Sequence, residues 1–393
     1  MKKVLITRFG GIGDSAPMTV VGAQLKKRGC EVHFAVRDGG PNMRLSEMFY
    51  KSPAFDKVLD WQEIGPWGSR CIQTDLGAVT INSVFEDYDQ VLDFMNIIEN
   101  NNTSPVCKNL PGLDWMRSRS SNWQNWYDLH LAWANIDPNS VPDEEKRPIF
   151  TLEQEELDPF MRLKKESGPI IVIQTSASSL SRTWYQAKRL PKMLSEKFPN
   201  CVIFGWEAEH NTWVMLKEGK ATRAVPAKGT SPLRFSMALV GSADLFIGAD
   251  SGFTHVAEAL GVPNIALYST VPAWTRNKYY KHQIAIDPGE QNPEFYTFNL
   301  GLGDPLRVLE GEENLSEREK LVAKLYQEGK AVEEACQELN VDKEGAELEL
   351  KSLISKKSSW ERQQSKALSS ISPERVFEKA VEVLGRGVKN ENS

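Results

Sequence analysis

Asp14 stands in the stretch RFGGIGDSAPMT, directly after the apolar run VLIT, at a point where a strand should end and a helix begin. A carboxylate placed there can take a proton from a substrate hydroxyl, which makes Asp14 a candidate general base, with Arg8, Gly11 and Gly13 shaping its loop. Gly11, Gly13 and Ala16 also spell G-x-G-x-x-A, the dinucleotide-binding turn, and Asp38 follows about twenty residues on, where a ribose-binding acid would sit. Read that way, the chain is an NAD(P)-dependent dehydrogenase. Asp14 argues against this, because it sets a negative side chain at the helix N-terminus that should receive pyrophosphate. A glycine-rich turn with no chemistry is the third alternative.

Two more strand-end loops carry polar groups. In ADLFIGADSGFTHVAEALGVP, Asp250-Ser251-Gly252 makes the turn before a helix whose first N–H groups favour a phosphate, and His255 lies one turn in. The plain alternative is that Asp250 and Ser251 cap the helix. In TSASSLSRTW, the hydroxyls of Thr175, Ser176 and Ser178 can donate to phosphate oxygens and Arg182 can add a bidentate guanidinium. Glu207, after VIFGW, can accept from a ribose hydroxyl. Phosphate and ribose ligands in one half and Asp14 in the other suit transfer of a sugar from a nucleoside diphosphate. Helix N-termini and a cation neutralise the leaving group there, and a base serves the acceptor. Such a site needs no metal if Arg182 and the backbone supply the charge, so neither metal nor cofactor is expected. A non-catalytic binding or assembly protein is the alternative from another class.

The elements that must position these residues alternate between strand and helix. KKVLITRF, EVHFAV, FDKVLDW and YDQVLDFM read as strands, with a helix from Ser15 to Arg28. A break over Asp137–Ser167 reads as a linker, after which the pattern restarts. The second set comprises PIIVIQ, NCVIFGWE, TRAVPA, ADLFIGA and NIALYST as strands, with helices over Gln186–Lys197, near Glu209–Gly219, over Pro232–Val240 and in FTHVAEALG. This is an α/β protein with two doubly wound, Rossmann-like units, and ligands of such sheets bind outside the carboxyl ends of the strands. The expected division is 1–160 for an acceptor-binding domain, 168–305 for a nucleotide-sugar domain, 311–368 for an acidic helical insertion and 371–385 for a closing helix.

The 393 residues carry a net charge of −6, and the segment from Glu312 to Lys351, with twelve acidic and six basic residues, accounts for all of it. No strongly basic face is left for nucleic acid. A helix-turn-helix-like stretch in that insertion is read as a plain helical insertion or a partner-binding hairpin. Trp115, Trp123, Trp126 and Trp133 could stack on sugars, but their spacing equally describes a buried helical face. Five scattered cysteines, no apolar run long enough for a membrane span and no leader pattern suggest a cytoplasmic protein, with peripheral membrane contact left open.

RFGGIGD, the Ser-rich loop followed by R-x-W, and DSGFTHVAEALGVPNIALYS together resemble the ADP-heptose:lipopolysaccharide heptosyltransferase family, glycosyltransferase family 9, and ISPERVFEKAVEVL resembles its closing helix. The resemblance implies a GT-B fold and inverting, metal-independent transfer from a nucleotide sugar, ADP-linked in that family, to a glycan or glycolipid acceptor. It casts Asp14 as catalytic base, Arg182 in place of a phosphate-binding lysine, Asp250, Ser251, Gly252 and His255 as the diphosphate and sugar loop, and Glu207 as the nucleoside-binding acid. The TSAS loop, the 311–368 insertion and the Trp-rich segment from Asn100 to Trp133 depart from the family pattern.

Overall fold

The computed structural model describes residues 1–8, 10–36, 44–60, 87–94, 124–177, 182–207, 212–226, 231–269, 271–292 and 366–390. Asp38, Ser178, Trp115, Trp123 and nearly all of the 311–368 segment therefore lie outside the described residues.

The first sheet contains β1 (Lys3–Arg8), β2 (Glu31–Val36), β3 (Lys57–Asp60) and β4 (Gln90–Asp93), parallel throughout in the order β3-β2-β1-β4. Val4, Leu5, Ile6 and Phe34 are fully buried, as strands covered on both faces require. The helices of this half are α1 (Ile12–Lys27), α2 (Leu45–Met48) and α3 (Trp126–Trp133); α4 (Gln154–Ser167) follows them and packs on the second half, with Phe160 against Phe204 and Phe235. α1 is enclosed on nearly every side, and Gly22 is needed for this: a Cβ there would come within 2.6 Å of the Ala54 carbonyl.

The second sheet contains β5 (Ile170–Gln174), β6 (Val202–Glu207), β7 (Thr212–Lys217), β8 (Lys220–Ala224), β9 (Leu245–Ala249), β10 (Asn264–Leu267) and β11 (Gln283–Ile286), in the order β11-β10-β9-β5-β6-β7-β8. Five of these strands run parallel, while β7 and β8 form an antiparallel ribbon at one edge. That ribbon corrects the helix expected near Glu209–Gly219. Glu218 and Gly219 have φ of 51° and 75°, and Lys217 pairs with Lys220, so Glu-Gly forms a two-residue hairpin turn of the kind that matches strand twist. Trp213 then faces the core, at 2% exposure, and its Nε1 donates to Ser236 Oγ at 3.0 Å.

The remaining helices are α5 (Leu190–Lys197), α6 (Pro232–Gly241), α7 (Gly252–Ala259), α8 (Trp274–Asn277), α9 (Lys366–Ser369) and α10 (Pro373–Asn390). Leu368, Ile371, Val376, Ala380 and Leu384 join Ile171, Ile173, Leu245 and Ile247 in one apolar core, so the chain's last helices close over the second sheet. Trp184, 1% exposed, sits under them and donates from Nε1 to the Ile371 carbonyl at 3.0 Å.

Candidate active site

α1 and α7 each begin at the carboxyl end of a central strand, β1 in one sheet and β9 in the other, and the two helix starts meet. A Cβ on Gly13 would lie 3.3 Å from the His255 ring, and one on Gly252 would overlap Ile12 and lie 3.1 Å from the Gly13 nitrogen. Only glycine lets two backbones come this close. Two helix N-termini, each with unpaired N–H groups and a partial positive charge, thus converge on one place.

Asp14 lies in the first turn of α1. Its Oδ2 accepts from the Gly11 N–H at 2.7 Å, and its Oδ1 lies 3.4 Å from Nη2 of Arg8. Arg8 is fully buried and is fixed in turn by donating from Nη1 to the Phe94 carbonyl at 3.1 Å. The Asp14 side chain remains 30% exposed, so a held carboxylate still faces outward. Gly10, at φ 114°, makes room for it, since a Cβ there would overlap the carboxylate. By occupying the Gly11 N–H, Asp14 takes a donor that a dinucleotide pyrophosphate would use, which counts against the dehydrogenase reading.

On the other side, Asp250 is 5% exposed and its backbone carbonyl accepts from Arg182 Nη1 at 3.2 Å, which sets the guanidinium at the mouth of α7. Ser251 is the N-cap residue of α7, and its hydroxyl donates to Gln174 Oε1 at 3.0 Å, joining the ends of β5 and β9. Thr175 and Ser176 follow β5, half-buried, and the Thr175 carbonyl accepts from the Trp184 N–H at 2.7 Å. Glu207 ends β6 opposite Thr212; its side chain lies outside the described residues. The structure therefore gathers Arg8, Gly11, Gly13, Asp14, Arg182, Asp250, Ser251, Gly252 and His255 at the junction of the sheets.

His255 is buried, and its Nδ1 bonds to the Tyr280 hydroxyl and lies 3.3 Å from that of Tyr127. Burial lowers its pKa to about 4, against the pull of Asp250 and Asp14 and with that of Arg276, so the ring is neutral at pH 7. Sequence reasoning missed the tyrosines, and it also missed Arg276 on α8. Burial lowers the pKa of Arg276, with Asp250, Asp14 and Tyr268 opposing and Arg182 adding. Its guanidinium lies 3.5 Å over the ring of Trp126, which with Trp133 belongs to the core rather than to an exposed stacking face.

Four consecutive residues of the first half each engage the loop that follows β10. Asn125 Nδ2 donates to the carbonyls of Trp274 at 3.0 Å and Thr275 at 3.4 Å; Trp126 lies under Arg276; the hydroxyls of Tyr127 and Tyr280 bond; and Asp128 accepts from the Tyr279 hydroxyl at 2.6 Å and pairs with Lys278 at 3.3 Å. The spacing of Asp87 and Asp89 is D-x-D, but they precede β4, and Asp89 accepts from the Lys3 N–H at 2.7 Å, at the opposite end of the sheet. Among the described residues, no group of three or more His, Cys, Asp and Glu side chains is arranged to hold a metal ion, and no helix is long and apolar enough to cross a membrane.

Residues 130–296 match the family model for glycosyltransferase family 9 (heptosyltransferase). The matched stretch takes in the end of α3, the Asp250-Ser251-Gly252 turn, α7 and α8. It is 24% identical over 320 residues to lipopolysaccharide heptosyltransferase 1 of Campylobacter coli, covering 74% of this chain and 90% of that one. Two solved structures share the fold. The glycosyl transferase family 9 protein of Veillonella parvula has a TM-score of 0.50 at 15% identity, over 72% of this chain and 85% of its own. The ADP-heptose lps heptosyltransferase II of E. coli has a TM-score of 0.51 at 15% identity, over 73% and 90%. The protein is a glycosyltransferase with the GT-B arrangement of two Rossmann-like sheets. The heptosyltransferase likeness does not favour the dehydrogenase alternative.

Proposed function

We propose that this glycosyltransferase moves a heptose or related sugar from a nucleoside-diphosphate sugar, ADP-linked in the first instance, to a hydroxyl of a glycan or glycolipid, with inversion and without a metal. The observation that carries this reading is the convergence of the two helix N-termini, one bearing Asp14 and the other following Asp250 and Ser251. Asp14 accepts the proton of the acceptor hydroxyl as its oxygen attacks the anomeric carbon. The bond from that carbon to the diphosphate oxygen breaks, and the oxygen keeps the electron pair. Arg182 and the α7 N–H groups stabilise that charge, with Thr175, Ser176, Ser178, His255 and Glu207 assigned to the donor. Arg8 and the Gly11 N–H orient the base. A reaction in the cytoplasm, against a membrane-borne acceptor, fits this reading.

The experiment is transfer from ADP-heptose to a lipid-linked or oligosaccharide acceptor, with the product anomer read by NMR. Asp14→Asn should lower kcat by about 10²- to 10⁴-fold with little change in donor affinity, and a chelator should leave the wild-type rate unchanged. Wild-type turnover in Asp14→Asn would remove the base assignment, and retention of the anomeric configuration would remove the single-displacement mechanism.

A further inference from the structure

We propose that Arg276 is a second diphosphate-binding cation of the donor site, held in place from the other half of the molecule by Trp126. The assignment rests on the donor reading above and deepens it.

Arg276 lies on α8, just beyond the carboxyl end of β10, on the side of the sheet where ligands of such sheets bind. Its guanidinium lies 3.5 Å over the indole of Trp126, which is only 2% exposed, and a planar cation held on a fixed aromatic face keeps its donors in one orientation. The backbone that carries it is also held. Asn125 Nδ2 donates to the carbonyls of the two preceding residues, Trp274 and Thr275, and Asp287 Oδ2 accepts from the Ala273 N–H at 2.8 Å. Among the described residues the Arg276 side chain makes no ion pair, although Asp250, Asp14, Tyr268 and the like-charged Arg182 all act on it electrostatically.

Charge arithmetic gives this arrangement its meaning. Arg8 and Asp14 pair with one another, and Arg182 and Arg276 together outnumber Asp250 by one positive charge. A nucleotide-sugar diphosphate carries two negative charges and gains more as the sugar departs. Arg276 supplies the positive charge that Arg182 alone does not, and two guanidiniums brought near each other at a half-buried site repel unless an anion lies between them. Its stack on Trp126 links that anion to the half of the molecule that carries Asp14.

The test is calorimetric titration of wild type, Arg276→Gln and Arg276→Lys with ADP and with adenosine, alongside melting curves. Arg276→Gln should bind ADP about 10- to 100-fold more weakly, the range for lost hydrogen bonds to a charged group, while adenosine affinity stays within about twofold. Arg276→Lys keeps the charge without the planar fork and should fall between, and it stands in if the glutamine variant does not fold. ADP affinity within about twofold of wild type in the variants overturns the assignment. Equal weakening of ADP and adenosine also overturns it, because that is the mark of a structural role. If wild type binds none of ADP, UDP and GDP, the donor reading itself fails and takes Arg276 with it, which separates the two failures.

Discussion

Gly252 and Ile12 meet across the two sheets so closely that a single added methyl group on Gly252 would overlap the Ile12 side chain. The starts of α7 and of α1, which bears Asp14, are therefore held at one fixed separation. In the proposed reaction, that separation sets how far the acceptor hydroxyl stands from the donor sugar.

Gly252→Ala should push the two helix starts apart, because Ile12 is β-branched and has the Gly13 backbone beside it. We expect a cost of about 1–3 kcal/mol in unfolding free energy, as for overpacked cores, and a larger loss in kcat/KM than that destabilisation explains. Denaturant unfolding and transfer kinetics on the same preparation check this. A variant that is destabilised but fully active would show that the close approach serves packing only.

Gly10→Ala attacks the same geometry from the other side. At φ 114° the new residue is strained, and its Cβ would displace the Asp14 carboxylate from the Gly11 N–H. The expected result is a kcat loss of about tenfold or more with donor affinity near wild type, because only the orientation of the proposed base changes. Donor affinity falling in step with kcat would count against it.

Acidification should destabilise the protein between pH 6.5 and 4. His255 and His130 are buried, and burial lowers their pKa values to about 4 and about 3 from 6.5. In that window the unfolded chain binds protons that the native state does not, so stability falls as pH falls, by up to about 2 kcal/mol per histidine at pH 5. His130 Nδ1 donates to the Trp126 carbonyl at 2.6 Å, and the ring packs against Phe94 and Trp133. His130→Phe should therefore flatten part of the acid loss, measured by urea unfolding at pH 7 and pH 5. Equal losses in wild type and variant would refute the assignment.

Leu368→Ala should cost about 2–5 kcal/mol, the range for emptying a buried leucine site. Leu368 is fully buried in the core of the second sheet, between the distal part of the chain and β5 and β9. If thermal unfolding shifts by a degree or less, the last two helices are only loosely attached.

Much of the architecture was legible because the strands are short apolar runs, and the two that lead into the site, β1 and β9, end in glycine-bearing turns before a helix start. Asp14, Gly252 and His255 fall together for that reason. The β7–β8 ribbon was misread because Glu218 takes the left-handed conformation usually given to Asn or Gly, so the turn lacked its usual letters. Arg276 and Tyr280 were missed for a different cause. They lie in a loop whose conformation is set by residues about 150 positions away, through Asn125 and Tyr127, and no local pattern reports such a partnership.

The strip from Asn125 to Asp128 and the loop from Trp274 to Tyr280 behave as lock and key, each of the four residues finding its own counterpart. Anyone building a hybrid enzyme by joining one half of this protein to the other half of a relative must transplant both pieces as a matched set. A hybrid that changes only one will bring its second half to the seam with Arg276 unsupported and Tyr279 facing the wrong side chain.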